Sequence, residues 1–271
     1  MYEKYGNKLP KNSDVAKRYK TLVGREHIFK KLGKTREQFF EITEVTKQNI
    51  FKTIPKREKS KWDKIVDKLK ETKYSIINNK KYINRTNDAQ EAINEMVNIQ
   101  NLRGYSKHLA TIWSGEENIS MNQYLQGEEI ELRGVFSSVN EVKKYTDDLI
   151  ELIDNMPKEK CIPENTLLVR GVSTDRIDLN NFIPGSKPRK LGTLTSSSYN
   201  IDTADDFSGY TDIDGPQGYI IKIHAPQGTK GVAINIDVTT ASEEYEYLLS
   251  PNQKYITHSV EDNIIEIELI E

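Results

Sequence analysis

The sequence predicts an α+β protein. Helical periodicity governs the chain as far as Pro157, and short β-rich segments separated by turn residues follow Pro163. No βαβ alternation and no glycine-rich phosphate loop of the usual kinds interrupts that order. With 271 residues, the chain is long enough for one large domain, or for a domain with a sizeable extension.

The basic amino-terminal part reads as helical. Thr35-Arg36-Glu37-Gln38 has capping-box spacing after Gly33, and Phe39, Phe40, Ile42, Val45, Ile50 and Phe51 recur at helical spacing until Pro55. Ser60 is placed to cap a second helix with Trp62, Ile65, Val66 and Leu69 on one face. Tyr74 to Arg85, rich in asparagine, reads as a connector. A helix then carries Ala92, Ile93, Met96, Ile99 and Leu102, followed by a small segment from Trp113 to Gln126. Ser138 caps a helix with Val142, Tyr145, Leu149, Leu152 and Ile153 on one face. Strands are expected at Thr166–Val169, Thr193–Ser196, Tyr219–Ile223, Val232–Ile236, Tyr245–Leu249 and Asn263–Ile270.

The net charge of −2 hides a division. Residues 1–84 carry 23 Lys/Arg against 10 Asp/Glu, and residues 85–271 carry 16 against 31. The break predicts a basic helical extension or adaptor over 1–84 and a second domain over 85–271. Like charges repel unless a partner offsets them, so the basic part suits a delivery partner, an anionic surface or nucleic acid. No apolar run reaches the roughly 18 residues of a membrane span. The first twenty residues lack the apolar core of a secretory signal. The expectation is a protein made in the cytoplasm that acts after secretion or delivery into a host cell. One cysteine, Cys161, excludes an internal disulfide and a thiolate metal cluster, and it reads as structural.

Three short stretches carry chemistry. Leu168-Val169-Arg170-Gly171 ends an apolar strand in an arginine, whose planar fork matches phosphate oxygens and keeps its charge. As an isolated feature it also reads as an edge arginine in a surface ion pair. Leu194-Thr195-Ser196-Ser197-Ser198 ends a strand in serines, with no His–acid arrangement nearby to activate a nucleophile. In Ser242-Glu243-Glu244-Tyr245-Glu246-Tyr247-Leu248-Leu249, strand alternation would put Glu244 and Glu246 on one face with Tyr245 on the reverse. Two like charges so close need a cation nearby, or else the segment is a solvated strand face.

In that order and spacing, with Phe207 eleven residues after Ser196, these stretches resemble the toxin-type mono-ADP-ribosyltransferases. Within that family they look most like the arginine-modifying class that includes the enzymatic component of iota toxin and the vegetative insecticidal proteins. The resemblance covers roughly residues 90–271. It implies a β-sandwich core flanked by helices, and NAD as co-substrate with no metal. It further implies that Arg170 holds the pyrophosphate and that Gly171 backbone groups hold the nicotinamide amide. Ser196 would orient the catalytic Glu246, which binds the nicotinamide ribose. Phe207 would stack near nicotinamide in a mobile loop, and Glu244 would receive the acceptor guanidinium. Members with Gln at the position of Glu244 modify Asn or Gln, so Glu-x-Glu implies arginine on a target protein.

Three positions depart from the family pattern. Val169 stands where many relatives have an aromatic residue. The stretch Ser208–Gly215 is acidic and lacks the basic residue expected after the loop phenylalanine. Ala241 replaces the aromatic that touches actin, so actin as target is not supported. The alternatives are an NAD glycohydrolase, or a weak or inactive transferase-like structural or delivery protein, such as a phage head component.

Overall fold

The computed structural model describes residues 61–209, 218–234 and 244–270. The chain divides into two compact units, Met1–Lys59 and Ser60–Glu271, and all the described residues belong to the second. The capping box at Thr35 and the helix expected from Phe39 to Phe51 lie outside the described residues.

Helix α1 (Lys61–Glu71) forms where the Trp62, Val66 and Leu69 stripe predicts it, with Trp62 and Val66 buried. The expected connector is instead a hairpin of β1 (Tyr74–Ile77) and β2 (Lys80–Asn84). Its two-residue loop, Asn78-Asn79, has φ of 49° and 62°. A tight hairpin turn needs positive φ at both positions, and asparagine tolerates it. Strand β2 runs parallel to β3 (Thr166–Val172) through Ile83 and Asn84, and Tyr82 is fully buried. The charge break at 84/85 is therefore not a packing boundary. Lys64 and Lys68 are exposed, while Trp62, Val66 and Tyr82 tie the same segment to the sheet. Surface charge and core packing depend on different residues.

Four more helices precede the main strands: α2 (Ala89–Gln100), α3 (Gly104–Trp113), α4 (Glu117–Gln126) and α5 (Val139–Asp154). Ser138 caps α5, its hydroxyl accepting from the Glu141 backbone N–H at 3.3 Å. The remaining elements are β4 (Arg189–Lys190), β5 (Thr195–Ser198), α6 (Ile201–Phe207), β6 (Tyr219–Ala225), β7 (Val232–Ala233), β8 (Glu246–Leu249), β9 (Lys254–Glu261) and β10 (Ile264–Ile270). Sequence reading missed β9. It forms a hairpin with β10 through Asp262 and Asn263, both at positive φ.

The strands run in the order β4-β9-β10-β6-β3-β5-β8-β7. Strand β3 is the fork of this mixed sheet. One edge pairs with β6 along all of Thr166–Val172, and the other is shared by β2 at Thr166–Leu167 and by β5 at Val169. Three clusters pack around it. Tyr247 and Leu249 of β8 join Leu168, Ile223, Ile265 and Met96 in one core. Helices α3, α4 and α5 cover Leu248 and Val232. Helices α1 and α6 cover Val169 and Ile220. Alternation along β8 thus separates two cores, and Glu246 falls on the Leu248 side, facing α3.

Candidate active site

Arg170 lies within the fork strand, one residue after Val169, which pairs with Ser198. Its Nη1 donates to the carbonyl oxygen of Ser196 at 2.6 Å. Burial pushes the guanidinium down from its ordinary value, the Glu246 carboxylate opposes that shift, and Arg176 adds to it. The side chain nonetheless stays charged, because guanidinium titrates far above neutral pH.

Strands β5 and β8 set the next contacts. Ser198 lies opposite Glu246, and Ser196 opposite Leu248. Ser196 is therefore the diagonal neighbour of Glu246 on the same face. Its hydroxyl lies close enough to the Glu246 carboxylate to draw its pKa down, while its carbonyl accepts from Arg170. One residue thus connects the cation to the carboxylate. Ser197 and Ser198 serve the scaffold instead: their hydroxyls donate to the carbonyls of Tyr247 at 2.5 Å and Glu244 at 2.6 Å.

The expected continuous strand through Glu-Tyr-Glu is not formed. Strand β8 begins at Glu246, because Tyr245 takes a left-handed backbone with φ of 47°. Such a conformation costs a non-glycine residue free energy and recurs at functional sites. The Tyr245 carbonyl is held by the Tyr199 backbone N–H at 3.2 Å. Glu244 and Glu246 reach one cavity through this kink rather than through strand alternation.

That cavity has a volume of about 880 Å³ and is lined by Arg170, Gly171, Ser196, Phe207, Glu244 and Glu246 among others. All six residues singled out by the sequence are brought together. Phe207 ends α6 and is 56 % exposed; the loop after it, residues 210–217, lies outside the described residues, as does Ala241. Glu246 is 6 % exposed. Burial pushes its carboxyl up, and Ser196, Trp113 and Arg170 each pull it back, leaving it raised. Glu244 is pushed up to about 7, by burial first and then by the Glu246 charge.

Gly171 has a packing reason of its own. A Cβ there would stand 1.8 Å from the Ala204 carbonyl oxygen and 2.7 Å from the Ser208 nitrogen. Only glycine lets α6 lie this close on β3. Val169, the residue departing from the family pattern, is 1 % exposed and packs in the cluster of Trp62, Val66 and Ile201.

Of the wall residues that sequence reading did not single out, two carry chemistry for the site. Trp113, the last residue of α3, donates its indole N–H to Glu246 Oε1 at 2.8 Å. Arg176, on the loop after β3, gives the wall a second guanidinium. Neither residue belongs to a motif, and only the tertiary fold marks them. Among the described residues, no cluster of three or more His, Cys, Asp or Glu is placed to hold a metal ion, and no helix is long and apolar enough to cross a membrane.

No protein-family model and no curated protein matches the sequence. Solved structures do match. BECa, an ADP-ribosylating toxin of a binary enterotoxin of C. perfringens solved with NADH, aligns at a TM-score of 0.51 and 17 % identity, over 73 % of this chain and 55 % of that one. Vis toxin, an ADP-ribosyltransferase from Vibrio splendidus, aligns at 0.47 and 17 % identity, over 69 % and 84 %. C3stau2 from S. aureus, solved with NAD, aligns at 0.49 and 15 % identity, over 70 % and 98 %. The described residues have the α+β fold of the bacterial toxin-type mono-ADP-ribosyltransferases.

Proposed function

We propose that this chain transfers ADP-ribose from NAD to an arginine side chain of a target protein and releases nicotinamide. The observation that carries the reading is the chain of contacts Arg170–Ser196–Glu246 in the wall of one cavity that also holds Glu244. The cavity fits the co-substrate: about 880 Å³ lies within the range of small-molecule sites. Two guanidiniums, Arg170 and Arg176, suit a pyrophosphate.

Cleavage of the nicotinamide–ribose bond leaves positive charge on the sugar, as in glycoside hydrolysis. Glu246, fixed by Ser196 and Trp113, presents a carboxylate where that charge develops. Phe207 offers an aromatic face at the cavity mouth. An arginine acceptor needs a group that pairs with its guanidinium, turns one nitrogen towards the ribose carbon and takes up the proton as the C–N bond forms. Glu244, at about 7, is tuned for that base role near neutral pH. Its carboxylate, rather than an amide, favours arginine over asparagine or glutamine. The target is a host protein reached after delivery, with the basic segment 1–84 supplying contacts to a delivery partner, an anionic surface or nucleic acid.

The test is incubation with labelled NAD and host lysate, with mass spectrometry of the modified residue. Label on arginine supports the reading. Label on asparagine, glutamine or DNA overturns the acceptor assignment, and nicotinamide release without any label favours a glycohydrolase.

A further inference from the structure

Trp113 stands 133 residues from Glu246 in sequence, yet its indole N–H meets the carboxylate at 2.8 Å inside the protein. The ring is 3 % exposed and packs in the same core as Leu248, which shares a strand face with Glu246. Packing alone would be served by phenylalanine. What tryptophan adds is one donor, and that donor is spent on the least exposed acid of the cavity.

The groups that face Glu246 are few. Ser196 of β5 and Arg170 of β3 favour its charged form, Glu244 just before it repels it, and Trp113 of α3 donates to it. The hydrogen bond to the carboxylate comes from Trp113, outside the sheet. A carboxylate held by strand residues alone retains freedom to rotate about its side-chain torsions. A donor from a separate layer removes it.

We propose that Trp113 is a positioning residue of the active site, orienting Glu246 for the reaction proposed above. The inference rests on that functional reading, and its test separates the two. Trp113→Phe keeps the aromatic packing and removes the donor. Losing a hydrogen bond to a charged group should lower kcat roughly 10–100-fold, with KM for NAD within about threefold. The acid limb of the pH–rate profile should move up, because the lost bond favours the charged form. A purely structural role would reduce the active fraction and leave that limb where it was.

A second measurement needs neither turnover nor an altered Trp113. The chain has two tryptophans, and Trp62→Phe leaves Trp113 as the only reporter. Its emission should titrate with Glu246 and lose that titration when Glu246→Gln is added. Unchanged kcat and acid limb in Trp113→Phe, or emission from Trp113 that ignores Glu246→Gln, would overturn the proposal. If wild type releases no nicotinamide, the functional reading fails by itself, and the emission titration still decides whether Trp113 senses Glu246.

Discussion

Glu244 and Glu246 share one cavity but not one environment. Glu246 has the Trp113 hydrogen bond, the Ser196 hydroxyl and an arginine to offset its burial in part, whereas Glu244 is raised by burial and by its neighbour's charge. Their variants should therefore behave differently. Glu246→Gln should cut nicotinamide release by on the order of 10²–10³-fold, as removal of transition-state charge stabilisation does, read by single-turnover assay. Glu244→Gln should abolish transfer to arginine while slow NAD hydrolysis persists. In wild type, transfer should rise as pH passes through about 7, since only ionised Glu244 accepts the proton. The sign for stability is opposite. A carboxyl raised in the folded state favours folding while protonated, and that contribution is lost as pH rises through about 7. Glu244→Gln should therefore stabilise the fold at pH 8 by on the order of 1–2 kcal/mol, measured as a higher Tm. A lower Tm would show that ionised Glu244 is not a strained group.

At the scale of elements, the site depends on how closely α6 lies on β3. The contact runs over Gly171, with Ala204 and Ser208 directly above it. Gly171→Ala should cost about 1–3 kcal/mol through overpacking, seen as a lower Tm, and should displace the helix that ends in Phe207. The sequence offered Arg170 as a candidate phosphate clamp, and the resemblance implied backbone contacts at Gly171. That the glycine also admits a helix was not legible, because some thirty residues of chain separate the two. The hairpins were missed for a local reason. Lys80-Lys81-Tyr82-Ile83-Asn84 does not alternate cleanly, although Asn78-Asn79 carries the turn signal. The strand expected at Thr193 begins two residues later, at Thr195, and serines in it are scaffold donors as well as site residues.

At the scale of the whole molecule, a second buried polar cluster lies on the sheet around β2, β6, β9 and β10. Tyr82, Lys80 and Asn78 hydrogen-bond Glu268, and His258 stands 3.2 Å from it. His224, fully buried, has its Nε2 at 3.8 Å from Glu266 Oε1, to which Lys222 also pairs. His224 and Lys222 hold Glu266 down at about 2. Burial pushes Glu268 up, but its hydrogen bonds outweigh that and leave it low. Burial also lowers His224. All three groups bind protons less readily folded than unfolded, so their stability is present above the unfolded values. It is lost as pH falls from about 6.5 towards 2. Tm should drop steadily over that range. Glu266→Gln should destabilise the fold at pH 7 by on the order of 2 kcal/mol for the unpaired Lys222, read as a lower Tm, and flatten the fall below pH 4.5. An unchanged slope would remove Glu266 from the account.

The sequence by itself determined the fold class, the helices with a clean apolar stripe, and the six residues of the motifs, because these are local patterns of spacing and residue type. Through their order and resemblance it also singled out two carboxylates, a serine and an arginine, which the structure brings to one cavity. Only the tertiary structure decided how they meet. The φ of Tyr245 turns Glu244 into the cavity without strand alternation, and β3 as a fork places Arg170 beside β5. The fold also delivers Trp113 to Glu246 across 133 residues. Contacts of that range are set by the packing of whole layers, which leaves no spacing rule in the chain.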